Sequence, residues 1–535
     1  MKNTMNIWMT SIVVVMLTLT VACSGNEAEK ATSTEGENAS VEVNKEGFPI
    51  VDETIQLSMM GPNIGAAEWE DMEVLQTYEE MTNMDFEYDT PPLSDFQTKL
   101  NLAFAGKDVS DVIYGGGLTP NMEVDYGSQG ILIPLEGLID EYAPHFKQMM
   151  EEDPSIRKAI TTIDGHIYSL PQIFRDPNSP WPIGPLWYNG DWLDALGVTE
   201  LPKTTDEFYE LLKRFKTEDP NGNGQADEIP LTDVKERHAR IWLLGAFGLK
   251  EWGIEEVDGT VRYTPMTENY KEYLAFMNKL YEEELLDQDA FSQTDEQKIA
   301  KGQDNRIGVF QSWYSYFATG QTEDEAVNNP MFHPLTSPAS EDIVIARGAG
   351  INRGAFSITS NNPYPEATMR WIDYLYSQDG YEFFAQGPAG YLWEWEDEEA
   401  GTKKWLDAPE GFKTTEDYRG TLTPNYGISA PGLVDVVRGK EVTNFDEFVR
   451  GETKEKIEPY AEVAFPLVYL TKEEQKDINT IEVDLESYVE QMEAKFITGV
   501  EPLSNWEQYV ETIERMNIEK YVQIHQDAYD RWSAS

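Results

Sequence analysis

The chain has 535 residues, with 41 lysine and arginine residues against 97 aspartate and glutamate residues and a formal net charge of −56 at pH 7. Its length allows two large lobes, since domains usually hold about 100 to 200 residues, and a composition that is 40% hydrophobic and 12% aromatic excludes disorder as the overall state. So negative a surface repels nucleic acid and anionic lipid headgroups, which excludes both as partners.

The first 22 residues have the pattern of a signal peptide. A single lysine precedes an apolar run from Ile7 to Ala22. The apolar core of this run, from Ile12 to Val21, is too short to be a comfortable permanent span of the roughly 30 Å hydrocarbon layer. Cys23 follows at once and is the single cysteine of the chain. The residues from Leu19 to Cys23 resemble the bacterial lipoprotein box, with Thr20 where the box usually has leucine. We therefore predict a diacylglycerol-type lipid on Cys23; the alternatives are an unlipidated secreted form and a buried free cysteine.

The next segment, residues 24–46, contains hardly any large side chain and cannot bury enough surface to fold. As a flexible coil it would span on the order of 25 to 30 Å. We predict that residues 23–47 form a lipidated tether. Folded sequence is expected from Phe48 onward.

Strands and helices alternate in the first folded block, which predicts an α/β lobe with a mostly parallel sheet. The predicted strands are 54–60, 85–89 and 111–114, and the predicted helices are 69–82 and 95–105. Three glycines, 115–117, follow the third strand. They lack the spacing of a nucleotide-binding loop and indicate a sharp turn at the carboxyl end of a strand, where open α/β sheets bind ligands.

The later blocks repeat both kinds of element. Residues 164–171 predict a turn and a strand, and a proline-rich loop occupies 176–185. Thr204 and Glu207 predict a capping box at the start of a helix, and Ser504 and Glu507 predict another. The remaining predicted strands are 186–188, 306–310 and 354–359, and the remaining predicted helices are 191–196 and 365–376.

A short loop after the Thr204 helix has the spacing of a calcium site. Gly224 stands at position six, where an EF-hand loop turns sharply, and Ile229-Pro230 prevents an immediate exit helix. Hard oxygen ligands favour calcium over zinc or copper. We predict a structural calcium ion; the alternative is a plain Asn-Gly turn. The predicted ligands are Asp219, Asn221, Asn223, Gln225 through its backbone carbonyl, Asp227 and Glu228.

Together these segments resemble the family 1 extracellular solute-binding lipoproteins of ABC importers, the type that includes lipoprotein LplA-like and alginate-oligosaccharide-binding proteins. The resemblance is best at 165–171, 186–197, 203–230, 367–390 and 506–532. It implies a periplasmic-binding-protein-like α/β fold with two lobes joined by a multi-crossing hinge. The first lobe would combine residues 48–171 with about 344–425, and the second would combine 172–343 with about 426–535 and carry the calcium loop.

The family also implies a function: a monomer on the extracellular face of the cell membrane, held by its lipid anchor alone, closes on an oligosaccharide and delivers it to ABC permease subunits. Aromatic rings suit the apolar faces of sugars, with polar side chains for the hydroxyls. The predicted ring platforms are Trp181, Trp187, Trp313, Tyr314, Trp393 and Trp395. Arg175, Arg347 and Arg353 could bind the carboxylate of an acidic sugar, or else pair with the many acidic residues.

Two other classes of function fit some of the same features. A secreted, calcium-stabilised glycosidase or lyase would share the export signal, the calcium and the tryptophans, but with 97 acidic residues a pair of carboxylates carries no information. The sequence has no GxSxG or HExxH motif, and its five histidines are scattered. A surface protein that grips intact polysaccharide would have a static groove. The sequence favours a binding protein, without catalytic residues, over an enzyme.

Overall fold

The computed structural model describes residues 41–176, 178, 180–234, 238–412, 414–440 and 442–534. The predicted signal peptide, Cys23 and the predicted tether up to residue 40 lie outside these ranges. Within them, no helix has both the length and the apolar character that crossing a membrane would need.

Strands and helices alternate over much of the chain. The strands are β1 (Ile55–Met60), β2 (Met84–Asp89), β3 (Val112–Tyr114), β4 (Leu170–Phe174), β5 (Leu186–Tyr188), β6 (Ile229–Thr232), β7 (Ile254–Val257), β8 (Thr260–Tyr263), β9 (Ile307–Gln311), β10 (Ile345–Ala346), β11 (Ile351–Ile358), β12 (Trp393–Asp397), β13 (Thr402–Trp405), β14 (Gly432–Val434) and β15 (Ala461–Glu462).

The α-helices follow in the same order of the chain. They are α1 (Glu73–Thr82), α2 (Leu93–Gly106), α3 (Pro120–Ser128), α4 (Glu136–Tyr142), α5 (Pro144–Glu152), α6 (Pro154–Ile160), α7 (Gly190–Ala195), α8 (Thr205–Thr217), α9 (His238–Leu243), α10 (Glu268–Glu282), α11 (Asp295–Gln303), α12 (Ser315–Thr319), α13 (Glu323–Ala326), α14 (Pro365–Asp373), α15 (Gln378–Gln386), α16 (Thr415–Arg419), α17 (Asn444–Lys456), α18 (Lys472–Ile497), α19 (Trp506–Arg515) and α20 (Ile518–Ala534).

The largest sheet has six strands in the order β14-β4-β11-β3-β1-β2. β1 pairs in parallel with β2 and with β3, and β14 pairs in parallel with β4. β11 is antiparallel to both of its neighbours and joins the two parallel groups. Helices α1 and α2 connect the first three strands, as parallel pairing requires a crossover longer than a turn. The sheet is therefore mixed, with the predicted parallel part at its β1 side.

A smaller sheet has the order β5-β9-β6, in which β9 is antiparallel to β5 and parallel to β6. Strands β5 and β9 are buried on both faces, and each is a short, mostly apolar run rather than an alternation. Helices α8, α10, α18 and α19 pack around it through buried rings and aliphatic side chains such as Phe215, Met277 and Phe496.

Two large hydrophobic clusters divide the described residues. The sheet cluster surrounds the six-stranded sheet and includes Leu57, Tyr114 and Trp371. The helical cluster surrounds the three-stranded sheet and includes Trp192 and Phe310. The chain passes from one to the other after β4, before β11 and after β14. β10 and β15, which lie on two such passages, pair with each other in parallel.

The predicted lobe boundaries can be compared with this arrangement. β14 follows the predicted boundary near residue 425, yet it pairs with β4 in the six-stranded sheet. β4 itself runs to Phe174, three residues past the predicted boundary at 171. Strand pairing in the six-stranded sheet therefore continues past both predicted boundaries, until the chain turns toward the helical cluster.

Most of the predicted elements agree with the structure to within a few residues, but the capping predictions do not fully hold. The backbone N–H of Glu207 donates to the Thr204 hydroxyl at 3.2 Å, whereas the Glu207 carboxylate accepts from the N–H of Lys203 at 2.8 Å. The prediction at Ser504 was wrong. Residues Leu503–Asn505 form a 3-10 turn, and α19 begins at Trp506 without a side-chain cap. A turn that already satisfies the first N–H groups removes the need for a capping hydroxyl.

Candidate functional site

Two neighbouring cavities lie between the sheet cluster and the helical cluster. The polar cavity has a volume of about 430 Å³, and the aromatic cavity has a volume of about 680 Å³. The residues that line both cavities are Phe174, Asp176, Asn178, Tyr314 and Val434. Each volume falls in the range of small-molecule sites, and the shared lining makes the two cavities one continuous cleft.

The aromatic cavity takes its rings from the Pro-rich loop after β4 and from the segment after β9. Trp181 is 5% exposed and donates its indole N–H to the Thr453 hydroxyl at 3.1 Å. Trp313 is 55% exposed, with its ring centroid 6.4 Å from that of Trp181. Phe317, 53% exposed, adds a third ring on α12. One buried, fixed tryptophan thus supports an exposed one whose face is open to a ligand.

Glycine at position 184 allows this arrangement. A Cβ atom at Gly184 would lie 2.6 Å from the backbone nitrogen of Trp313 and 2.7 Å from the carbonyl carbon of Ser312. Real contacts of a Cβ atom are not that short, so a larger residue would push the two segments apart. The backbone approach therefore sets the position of the Trp313 ring.

Polar groups cluster where the cavities meet. The Asp176 carboxylate accepts the N–H of Asn178 at 3.1 Å, in the manner of an Asx turn. Burial raises the pKa of Asp176, and the negative charge of Asp435 raises it further. The side-chain N–H of Asn178 donates to the Tyr314 hydroxyl at 3.3 Å, whereas its buried Oδ1 has no hydrogen-bond partner among the described residues. The junction thus contains a buried acceptor oxygen that no described residue satisfies.

The structure brings together three of the six predicted ring platforms, Trp181, Trp313 and Tyr314. Trp187 does not belong with them, because it is fully buried in β5 and donates to the carbonyl of Ser312 at 2.9 Å. A three-residue strand that is covered on both faces leaves no ring face for a ligand. We correct that prediction: Trp187 supports the segment before Trp313 through Ser312 and lines neither cavity.

Trp393 and Trp395 lie on the β12–β13 hairpin and line neither cavity. Their rings meet edge to face at 4.7 Å, and the ammonium of Lys403 lies 4.6 Å from the Trp393 centroid. Trp393 packs with Leu392 and Leu422 in a small separate cluster. Trp393 therefore holds the hairpin to the body of the protein, and Trp395 lies exposed against Trp393.

The predicted arginines line neither cavity. Arg175 pairs with Glu152 at 3.4 Å. Arg353 stacks 4.5 Å from the centroid of the Tyr469 ring, where two crossing segments meet. Arg347 is exposed on the segment before β11. Arg175 and Arg353 each already have a protein partner. For these two residues, a structural role is therefore favoured over binding of a sugar carboxylate.

The predicted calcium loop is closed by its own side chains. The Asp227 carboxylate accepts from the amides of Asn221 and Asn223 at 3.2 and 3.0 Å. Asp219 accepts from the N–H of Gly224 at 3.1 Å. Gly224 has a φ of +72°, a left-handed conformation that glycine adopts without strain. The chain turns here as an EF-hand loop does at its sixth position.

Charge and burial in the loop fit a cation. The Oε1 atom of Glu228 is buried without a partner among the described residues. Burial raises the pKa of Glu228, and the carboxylates of Asp219 and Asp227 raise it further. Arg306 lies 3.2 Å from Asp227 and supplies part of the compensating charge. Within the described ranges, no three His, Cys, Asp or Glu side chains converge as a metal cluster, so a cation here would also need amide and backbone oxygens.

Several residues of the cleft were missed by sequence reasoning. The polar cavity is lined by the charged residues Asp176, Glu416, Arg419, Asp435, Lys440, Asp446 and Arg450. Two signals were available in the sequence: Asp-Pro-Asn at 176–178, and Phe317, four residues after Trp313. The others come from segments far apart in the chain, and no local pattern distinguishes them from the many other charged residues.

Known proteins resemble the chain over most of its length. Residues 66–382 match the family described as bacterial extracellular solute-binding protein. A fructooligosaccharide ABC transporter substrate-binding protein, FusA of Streptococcus pneumoniae serotype 4, is 31% identical over 485 residues, 86% of this chain and 87% of that protein. The polygalacturonan/rhamnogalacturonan-binding protein YtcQ of Bacillus subtilis strain 168 is 23% identical over 339 residues, 62% of this chain and 65% of that protein.

Solved structures agree with the sequence comparison. S. pneumoniae FusA in complex with kestose is 29% identical, has a TM-score of 0.74, and matches over 90% of this chain and 100% of that chain. An EF-hand mutant of FusA in complex with fructo-nystose gives the same values. The predicted periplasmic-binding-protein-like α/β fold and the prediction of a binding protein rather than an enzyme are both confirmed. The chain is a member of the bacterial extracellular solute-binding protein family.

Proposed function

We propose that the protein captures an oligosaccharide in the cleft between its two clusters and delivers it to the membrane subunits of an ABC importer. The observation that carries this proposal is the exposed ring of Trp313, which lines the same cavity as Asn178, whose buried Oδ1 has no partner among the described residues. An apolar ring next to a few placed hydrogen-bonding groups is what a sugar requires, since its rings have apolar faces and polar edges.

The relatives support an oligosaccharide as the ligand. FusA, at 31% identity, is named for fructooligosaccharides and has been solved with kestose and with fructo-nystose. Those two sugars are therefore the first ligands to test on this protein. The ABC importer is proposed on the same ground, because FusA is named as the substrate-binding protein of one.

Calorimetric titration with kestose, fructo-nystose and a panel of other oligosaccharides tests the binding. We expect affinity in the micromolar range or tighter, equivalent to about −8 kcal/mol or more. Small-angle scattering should detect compaction on binding, and chromatography should recover the sugar intact. Hydrolysed sugar would contradict the proposal, as would the absence of binding across the panel.

A lipid anchor at Cys23 is part of the proposal, and its support is the sequence from Leu19 to Cys23 alone. An anchored receptor stays at high local concentration beside its importer. Fractionation of cells that express the full chain, with Cys23→Ser as the comparison, tests this. We expect the natural chain in the membrane fraction and the variant in the medium; membrane retention of the variant would contradict the anchor.

We also propose that the loop at 219–228 binds a structural calcium ion. The unpartnered Oε1 of Glu228 and the oxygen-rich spacing support it, and a solved EF-hand mutant of FusA indicates a similar loop in a relative. Because an ion that binds only the folded state stabilises it by mass action, calcium should raise the Tm and a chelator should lower it. Asp219→Asn should reduce that response. An equal Tm with calcium and with chelator would contradict the site.

A further inference from the structure

The two cavities of the cleft differ in charge. In the aromatic cavity, Asp176 is the one charged side chain among the described residues that form the lining. Every basic residue of the cleft belongs to the polar cavity instead. Among the described residues, a sugar ring that stacks on Trp313 therefore meets a carboxylate and no cation.

Asp176 also lacks a neutralising partner. Among the described residues it makes no ion pair, and the hydrogen bond that its carboxylate accepts comes from the backbone of Asn178. It is half-buried, and the nearby Asp435 carries a second negative charge. Among the described residues, the Asp435 carboxylate accepts the backbone N–H of Val436 at 2.7 Å and makes no ion pair. Charge that is partly removed from water and not paired acts strongly on a ligand.

The cations of the polar cavity do not cancel this charge. Arg419 pairs with Glu416 at 2.7 Å and stacks 4.8 Å from the centroid of the Tyr426 ring. Lys440 is exposed, and Arg450 is half-buried on α17. Both can attract an anion at the polar end of the cleft, but neither lines the aromatic cavity.

We propose that Asp176, together with Asn178, determines specificity: the pair accepts hydrogen bonds from a neutral sugar in the aromatic cavity and excludes a uronate there. The inference rests on the proposed oligosaccharide binding and narrows its ligand class. Hydroxyl groups can donate to the Asp176 carboxylate and to the free Oδ1 of Asn178. A uronate brings a like charge instead, and unpaired like charges are an effective means of rejecting a ligand.

The test compares neutral and acidic sugars on wild type and Asp176→Asn by calorimetric titration at pH 7 and low salt. The neutral panel includes kestose and fructo-nystose, and trigalacturonate is the acidic probe. Wild type should prefer its best neutral sugar over trigalacturonate by about a hundredfold or more. Asp176→Asn should reduce that ratio by about tenfold or more, chiefly through tighter trigalacturonate binding.

Control variants separate the charge of the site from the charge of the whole protein. Asp206→Asn changes the net charge equally at an exposed position of α8 outside both cavities, and its ratio should equal that of wild type. Asp435→Asn leaves both Asp176 and Asn178 unchanged. It should lower the ratio of neutral to acidic affinity, as Asp176→Asn does, but by a smaller factor. It provides the measurement if circular dichroism finds Asp176→Asn misfolded.

Each outcome bears on the inference. Wild type that binds trigalacturonate as tightly as the neutral sugars would overturn it, and so would folded Asp176→Asn and Asp435→Asn variants with the wild-type ratio. The inference would be supported if the ratio of neutral to acidic affinity falls in both variants and if the wild-type ratio falls as salt increases toward 0.5 M, because salt screens like-charge repulsion. Binding of neither class of sugar would overturn the proposed function, which is a different result.

Discussion

Two pairs of tryptophans have nearly the same burial and different surroundings. Trp181 and Trp313 are 5% and 55% exposed, and Trp393 and Trp395 are 9% and 40% exposed. The first pair opens into a cavity beside Asn178. The second meets edge to face on a hairpin, with Lys403 close to both rings. Exposure of a ring is therefore not enough to indicate a binding platform; a concave wall and nearby polar acceptors are needed as well.

The largest effect is expected at Trp187, which is fully buried and donates to the carbonyl of Ser312, the residue before Trp313. Trp187→Ala should reduce the free energy of unfolding by about 3 to 5 kcal/mol, because it removes a large buried side chain and its hydrogen bond to Ser312. Urea denaturation measures this. Trp187→Phe should cost less. A mild loss of stability with a selective loss of sugar binding would contradict the supporting role and return Trp187 to the platform residues.

The attachment of the hairpin should depend on Glu382. Burial raises the pKa of this carboxyl, but hydrogen bonds from Arg438, Gln378 and Lys403 outweigh the burial and hold the pKa at about 2. Removing the charge with Glu382→Gln should reduce the free energy of unfolding by about 2 kcal/mol at pH 7.

The pH dependence of the same group has a defined sign. Because the folded pKa lies below the ordinary value of 4.5, Glu382 contributes stability above pH 4.5, and that contribution is lost as the pH falls toward about 2. Between pH 5 and pH 2, the Tm should therefore fall less steeply with decreasing pH in Glu382→Gln than in wild type. An equal dependence of the Tm on pH in the two proteins would show that Glu382 does not stabilise the attachment of the hairpin.

At Trp313 the expected effect is on binding and not on stability. Trp313→Ala should weaken the binding of the tightest-binding oligosaccharide by about 1 to 2 kcal/mol, roughly tenfold in affinity, because the stacking face is lost. Its free energy of unfolding should stay within about 0.5 kcal/mol of wild type, since the ring is half in solvent. Titration and urea denaturation of one preparation measure both. Unchanged affinity would remove Trp313 from the site.

Trp395 gives the smallest effect and serves as the matched control. Trp395→Ala should change the affinity and the free energy of unfolding by no more than about 0.5 kcal/mol each, as surface substitutions usually do. A loss of affinity equal to that of Trp313→Ala would mean that the hairpin contacts the ligand. Both pairs of tryptophans would then belong to the binding site.

The sequence by itself determined most of the local structure. Short apolar runs predicted β1, β5 and β9, and the spacing from Asp219 to Glu228 predicted a tight oxygen-rich loop whose turn at Gly224 is present. These patterns depend on residues close together in the chain, so that periodicity and turn chemistry are sufficient. The family resemblance, which the comparisons confirmed, also rests on several such local segments.

Only the tertiary structure decided which of the predicted residues face the cleft. Trp181 is fixed by Thr453, 272 residues away, and Arg353 is occupied by a segment 115 residues away. Whether a ring or a charge is buried, paired or open to a ligand depends on such distant partners, which local sequence does not specify. The same reason separates Trp187 from Trp313 and leaves Asp176, not an arginine, as the charge that a stacked sugar meets.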